Sequence, residues 1–118
     1  MHDGVLDHEV LDELRETTGD DFLSELVTTF LDEAPAMIAD LKDAANKGDA
    51  DRFRRAAHSI KSNASSFGAT ALAELARSME LGDLAEDAAK GGSPLAALAA
   101  LDAEYARTSA ALKGVLNE

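Results

Sequence analysis

Apolar residues recur at helical spacing along most of the chain. Between Phe22 and Leu31 they repeat every three or four residues, which is the period of one face of an α-helix. No segment keeps the two-residue alternation of a half-buried strand, and β-branched and aromatic residues are scarce. The pattern therefore predicts an all-α protein.

Capping and turn residues divide the pattern into one short helix and four longer ones. The short helix begins after Asp7, a good N-cap, and ends at Gly19. Three of the longer helices are predicted from near Asp20, through a kink at Pro35, to a turn at Lys47-Gly48-Asp49; from about Asp49 to Phe67; and from about Thr70 to Ala89, with Gly82 as a weak point. The last helix carries the apolar residues Leu95, Leu98, Leu101, Tyr105, Leu112 and Leu116. Before the last helix, Gly91-Gly92-Ser93-Pro94 forms a loop in which Ser93 caps the helix and Pro94 is its first residue. Short loops favour antiparallel neighbours, so we expect an antiparallel up-down-up-down four-helix bundle with a short extra N-terminal helix across one end.

Length, net charge and cysteine content limit the classes of function that this chain could have. The length of 118 residues fits one domain, and 23 acidic residues against 11 basic ones give a net charge of −12. This balance disfavours binding to nucleic acid or to an anionic membrane surface. The chain has no cysteine, which excludes disulfides and thiolate chemistry. Because the N-terminus does not resemble a signal peptide and no apolar run is long enough to span a membrane, we expect a cytoplasmic location.

The helix predicted at about 49–67 has an apolar side and a reactive side. Its apolar seam consists of five residues, Phe53, Ala57, Ile60, Ala64 and Phe67. On a helical wheel, His58 lies about 140° from the centre of this seam and should point away from the core. Four polar residues share its face, namely Arg54, Lys61, Ser62 and Ser65.

Charge is also unevenly distributed in this helix. The segment from Arg52 to Ala73 holds four of the 11 basic residues and none of the 23 acidic ones. An exposed imidazole can act as a nucleophile, and cations one turn away would offset the charge of a phosphoryl group. Two explanations remain open at this point, because a surface histidine often has no role and the basic residues could pair with acids on neighbouring helices.

The residues around His58 resemble a known signature. The string RAAHSIKSNASSFGA at 55–69 is similar to the signature of histidine phosphotransfer (HPt) domains, with matches at Ala57, His58, Ile60, Lys61, Ala64 and Gly68. It also resembles the phosphorylated domain of the chemotaxis histidine kinase. The similarity extends over about 5–116, which implies a single HPt domain at 1–118 on a four-helix bundle.

The resemblance implies a phosphoryl carrier rather than a stand-alone kinase. His58 would accept a phosphoryl group on Nε2 and relay it to or from receiver-domain aspartates, and Lys61 would be the cation that faces the phosphate. The implied partners are response-regulator receiver domains and a histidine kinase, with a monomer expected. No cofactor is expected on this chain, since Mg²⁺ would sit in the receiver domain.

The remaining motif residues have supporting roles under the same resemblance. Arg54 and Arg55 are weaker candidates for phosphate or partner contacts, and Ser62 and Ser65 would shape the docking surface. Many family members have glycine at the position of Ser62. Gly68 would permit close helix packing or end the helix.

The turn at Gly48 suggests what lies beside His58. His58 follows this turn by about ten residues, so an antiparallel neighbour should present residues near position 38. We therefore expect Met37 or Ile38 to be partly exposed and to contribute to an apolar patch beside His58. The alternative is that both residues belong to the core.

Other interpretations of the sequence have less support than a phosphotransfer domain. A sensor kinase's phosphoacceptor helix typically has an acid after its histidine, whereas Ser59 follows His58, and 118 residues leave no room for an ATP-binding domain. The main alternative is a non-phosphorylated helical adaptor that binds a signalling partner. His8, Glu9 and Asp12 share a helix face, but solvated charge explains them better than a metal site. The aromatic residues are assigned to the core: Phe22, Phe30, Phe53, Phe67 and Tyr105.

Overall fold

Five α-helices account for most of the residues that the computed structural model describes, which are 6–81 and 95–116. They are α1 (His8–Thr18), α2 (Asp20–Lys47), α3 (Ala50–Ser66), α4 (Thr70–Leu81) and α5 (Leu95–Leu116). The predicted all-α class is confirmed. The expectations for Gly82, for a helix continuing to Ala89, for the 91–94 loop and for the Ser93 cap lie outside the described residues.

Local sequence explains where the helices begin and end. The side chain of Asp7 accepts a hydrogen bond from the Glu9 backbone N–H at 3.0 Å, as a helix N-cap does. Asp49 caps α3 in the same way, by accepting from the Arg52 N–H at 3.1 Å. Gly48 ends α2 in the left-handed region, at φ +67°, where glycine meets no steric penalty.

Helix α2 runs without interruption through Pro35, as predicted. A proline inside a helix removes one backbone donor and usually weakens the helix. Here Pro35 is exposed, whereas Ala34 and Ile38 beside it face the core. Burial of the apolar face on both sides of the proline holds the helix together over 28 residues.

The four longer helices close into a ring. α2 packs on α3, α3 on α4, α4 on α5 and α5 on α2, while α1 packs on α2. The register of α2 against α5 is antiparallel, because Lys42 Nζ lies 2.7 Å from Asp102 Oδ2 and Phe30 stacks edge-on against Tyr105 further along. The predicted antiparallel four-helix bundle is thus confirmed.

The core contains most of the predicted aromatic residues. Phe53 is completely buried, and the rings of Phe30 and Phe67 lie 5.5 Å apart. Tyr105 is half-buried, and this burial raises the pKa of its hydroxyl despite a hydrogen bond with Ser109. The assignment of Phe22 to the core is wrong, since it is 49% exposed. Leu23, the next residue, takes the core position in that turn, and neighbours on a helix point about 100° apart.

The turn from α3 to α4 is tied to the start of the chain. After α3, the Ala69 N–H bonds the Ala64 carbonyl and the Gly68 N–H bonds the Ser65 carbonyl, which is the pattern of a Schellman C-cap. Gly68 has φ +70°, and its carbonyl accepts a 2.7 Å hydrogen bond from the Asp7 N–H. Gly68 therefore ends α3 and lets the N-terminal segment approach closely. Within the described ranges, no helix is long and apolar enough to cross a membrane.

Candidate functional site

His58 projects from the solvent-facing side of α3. The five residues of the apolar seam are each 4% exposed or less, whereas the side chain of His58 is 58% exposed. The outward orientation that the helical wheel predicts is therefore present. Because His58 lies near the middle of a 17-residue helix packed on two neighbours, its backbone is held rigidly.

Helix α4 contributes a carboxylate to this site. Glu80 Oε2 lies 2.6 Å from His58 Nδ1, and Glu80 Oε1 lies 2.5 Å from Lys61 Nζ. A carboxylate can only accept hydrogen bonds, so Nδ1 is the protonated nitrogen of the ring. In the neutral imidazole this places the lone pair on Nε2, which has no hydrogen-bond partner among the described residues. Glu80 thus orients the ring and selects its tautomer.

The same contacts keep Glu80 ionised. The hydrogen bond from Lys61 is the main cause that lowers the pKa of Glu80, and the bond from His58 lowers it further. Partial burial works in the opposite direction, because the side chain is only 16% exposed. The net shift is downward, so the carboxylate persists below the ordinary glutamate range.

This shift predicts an acid-sensitive contribution to stability. Because the pKa of Glu80 is lower in the folded protein, its contribution is complete above the ordinary value of 4.5 and is lost as the pH falls through the lowered value. We expect the Glu80 carboxyl to titrate below 4.5 when followed by carbon NMR. The stability difference between wild type and Glu80→Gln should shrink on acidification over the same range. A midpoint at or above 4.5 would contradict this.

Most of the basic residues near His58 are already paired. Arg52 donates to Asp40 Oδ1 at 2.8 Å and to Asp43 Oδ2 at 2.7 Å, which raises the pKa of Arg52 and lowers that of Asp43. Lys61 is paired with Glu80, and Arg54 lies 3.8 Å from Asp51. The patch that looks cationic in sequence is therefore largely compensated across helices.

Arg55 differs from the other cations. It is exposed, it lies three residues before His58 on the same side of α3, and it forms no ion pair with any residue in the described ranges. Its guanidinium charge is available to an incoming anionic surface. Ser62 and Ser65 are also exposed, in the two turns that follow His58. The small side chains leave that part of α3 accessible.

The residues expected from α2 separate into two environments. Met37 is partly exposed, and its Sδ lies 3.9 Å from Asn63 Nδ2 on α3. Ile38 is only 6% exposed and lines a groove between α2 and α5 with Pro35 and Tyr105. The expected partial exposure is therefore found for Met37 but is wrong for Ile38. The 100° step along the helix from Met37 turns the Ile38 side chain towards α5.

Two residues beside His58 were not anticipated, and both come from the end of α4. Glu80 holds the ring, and Leu81 is 66% exposed. Counting from the turn at Gly68 would have located them, since His58 precedes this turn by ten residues and positions near 80 follow it by a similar number. Counting from the turn at Gly48 instead places residues of α2, near position 38, beside His58.

The three residues that the sequence offered as a weaker, metal-binding alternative lie together at the start of α1. His8 is the first residue of α1, Glu9 is exposed and Asp12 is within 3.7 Å of Arg15. Across residues 6–81 and 95–116, no three His, Asp or Glu side chains are grouped so that they could hold a metal ion.

Comparisons with known proteins agree with the geometry. A family model described as Hpt domain matches residues 25–111. The crystal structure of histidine-containing phosphotransfer protein B (HptB) from Pseudomonas aeruginosa PAO1 superimposes with a TM-score of 0.83, at 28% identity, over 98% of this chain and 97% of that one. No curated protein sequence gave a significant match. The chain belongs to the Hpt domain family, and it is a histidine phosphotransfer protein of phosphorelay signalling.

Proposed function

We propose that His58 Nε2 carries the phosphoryl group of this phosphotransfer protein. The observation that supports the proposal is the orientation of the ring, with Nδ1 bonded to Glu80 at 2.6 Å and more than half of the side chain exposed. The described residues include one other histidine, His8, which is the first residue of α1 and is not part of the motif around His58. Histidine kinases and receiver domains are the partners of this family.

The transfer step follows from the tautomer. The Nε2 lone pair attacks the phosphorus of an aspartyl phosphate on a receiver domain, the Nε2–P bond forms, and the P–O bond to the aspartate breaks to leave a carboxylate. The ring is positively charged while Nδ1 keeps its proton, and the Glu80 carboxylate stabilises that charge. Onward transfer reverses the step towards another aspartate, and Mg²⁺ bound by the receiver would assist at the phosphoryl oxygens.

Lys61 acts in this scheme through a shared carboxylate. Its side chain is 27% exposed and its ammonium is bonded to Glu80, one turn from the imidazole. Among the described residues, part of the hydrogen-bonding capacity of the ammonium is unused. A phosphoryl group on Nε2 would compete with Glu80 for this cation. Lys61 thereby couples the charge of the phosphoryl group to the hydrogen bond between Glu80 and the His58 ring.

The docking roles remain part of the proposal. Arg55, Ser62 and Ser65 are exposed on α3 around His58, and Arg54 is partly exposed beside them. Met37, partly exposed on α2, contacts Asn63 of α3 and is proposed as a further contact for the partner. The carrier acts as a monomer, because the four helices complete their own core. A cytoplasmic location accords with partners of these classes.

Phosphorylated receiver domains are the direct test. We expect one of a panel that includes the genomically paired receiver to modify the wild-type protein once, with a phosphoryl group that is acid-labile and base-stable by intact mass. His58→Ala should remain unmodified. Absence of transfer from the paired kinase and receiver, with the fold intact, would contradict the proposal and favour a non-phosphorylated adaptor.

Replacing the carboxylate should slow the transfer without removing the acceptor. Glu80→Gln keeps the size of the side chain but removes the charge that holds the Nδ1 proton, so we expect the transfer rate to fall about 10- to 100-fold. Nitrogen NMR of the ring should show a mixture of tautomers in the variant. Glu74→Gln, at an exposed position on the same helix, should behave like wild type in both measurements. Equal rates for the two variants would contradict this role.

A further inference from the structure

Phe22 projects into solvent from the first turn of α2, with 49% of its surface exposed. Leu23 fills the core in that turn, so the bundle does not need the ring of Phe22. Phosphoryl transfer does not use this ring either. Phe22 precedes Met37 by 15 residues, about 22 Å along the axis of α2, and Met37 contacts Asn63 on the helix that carries His58. A large exposed aromatic side chain at this end of the bundle therefore has no role in the fold or in the transfer step.

The surface that surrounds Phe22 is strongly negative. Residues 6–41 hold eleven of the 23 acidic residues of the chain and only one lysine or arginine, which is Arg15. Arg15 is already paired, because its guanidinium lies 2.9 Å from Asp20 and 3.7 Å from Asp12. The exposed acids of α1 and of the start of α2 are Glu9, Asp12, Glu13, Glu16, Asp20, Asp21 and Glu25. The exposed ring thus lies on a face with a large excess of carboxylates.

The charge of this face selects the kind of partner that can bind it. A second copy of the chain that presented the same face would be repelled, and so would the aspartate-bearing site of a receiver domain. A metal ion is not favoured, since no three acidic or histidine side chains are grouped to hold one within 6–81 and 95–116. Arginine fits both features of the face, because its guanidinium stacks on aromatic rings and forms paired hydrogen bonds with carboxylates.

We propose that the face around Phe22 binds an arginine-rich segment of a partner protein. One guanidinium lies over the Phe22 ring between Asp21 and Glu25, which is one turn further along α2, and other arginines pair with the exposed acids of α1. Because α2 and α3 are antiparallel, His58 is further from Phe22 than Asn63 is. A partner held at this face therefore leaves His58 accessible to a receiver domain.

The test uses a short synthetic peptide of arginine and serine as the probe, with a peptide of glutamate and serine as its control. Each is titrated into the unphosphorylated, ¹⁵N-labelled protein at physiological salt. We expect the arginine peptide to shift the amide signals of α1 and of the first two turns of α2, and to leave those around His58 unchanged. The glutamate peptide should shift none of them.

Three variants separate the ring from the charge. Phe22→Ala keeps every carboxylate and should weaken binding of the arginine peptide about three- to tenfold, because it removes the stacking surface. Glu25→Gln should weaken it about two- to threefold, with a loss that shrinks as salt concentration rises. Glu33→Gln is the matched control, since it makes the same change at an exposed position of α2 about 16 Å beyond Phe22, more than a Debye length away. It should bind the peptide as wild type does.

Two results of the titrations would overturn the proposal. Equal affinities of wild type and a folded Phe22→Ala protein would show that charge alone attracts the peptide. Signal changes centred on α3, or spread over all acidic surfaces, would show that no defined face binds it. These measurements use the unphosphorylated protein, so they do not depend on the role of His58.

The independence of the two surfaces has its own test. A saturating amount of the arginine peptide should leave the rate of phosphoryl transfer from a receiver domain to His58 within about twofold of the rate without peptide. A block of transfer by the bound peptide would contradict the claim that the face around Phe22 is separate from the acceptor site.

Discussion

Replacement of His58 by Gln is expected to lower phosphoryl acceptance at least about 1,000-fold, because the substitution removes the attacking nitrogen. Stability should change little, within about 0.5 kcal/mol, since the side chain projects into solvent and makes no core contact. Transfer from a phosphorylated receiver and unfolding by denaturant measure the two quantities on the same preparation.

The matched control for this prediction is His8→Gln, at the other histidine of the described residues. It should retain the transfer rate of wild type. A His58→Gln protein that is folded and still accepts phosphoryl would show that the acceptor lies elsewhere. A variant that fails to fold would show instead that His58 has a structural role inconsistent with its exposure.

Gly68→Ala is expected to cost about 2 to 3 kcal/mol of unfolding free energy. Its φ of +70° lies in the left-handed region, which costs a residue with a Cβ about 1 to 2 kcal/mol. A Cβ at this position would also lie 2.7 Å from the Asp7 carbonyl oxygen, so the N-terminal segment would have to move. Denaturant unfolding monitored by circular dichroism measures the loss.

Gly114→Ala provides the opposite expectation for the same substitution. Gly114 lies inside α5, and a Cβ there would have no heavy atom within 4 Å. Alanine favours a helix over glycine, so this variant should gain about 0.5 to 1 kcal/mol. Similar stabilities for the two variants would contradict the close contact at Gly68.

The helices could be read from sequence because local signals agreed with one another. Asp49 as N-cap, the apolar seam and Gly68 define α3 to within a residue at each end. The continuity of α2 across Pro35 was also predictable, since the apolar period continues beyond the proline. Phe22 was misplaced because its spacing to Leu26 and Phe30 fits the core stripe, although Leu23 fills the core in that turn.

The outward position of His58 could be predicted, but its partner could not be fixed from its own helix. Glu80 lies 22 residues later in the chain, so the contact depends on the register of α3 against α4. Ion pairs between helices also depend on the register of one helix against its neighbour. Asp40 and Asp43 neutralise Arg52 from α2, a pairing with a neighbouring helix that the sequence leaves open without indicating which acids take part.

Neighbouring residues on a helix also proved hard to separate in advance. Met37 and Ile38 were equally close to the level of His58, and one helical step sends Met37 towards α3 and Ile38 towards α5. Leu81 was hidden for a similar reason, because an apolar residue at a helix end fits the core pattern. Only the packing of α4 on α3 leaves it exposed beside the imidazole.

Nitrogen NMR of the phosphorylated protein, labelled with ¹⁵N in histidine, tests the central claim most directly. The account predicts a phosphorus–nitrogen coupling at Nε2 of His58, with the other histidine rings unchanged. Coupling at Nδ1 of His58, at another histidine, or a phosphoryl group held on a carboxylate would contradict it.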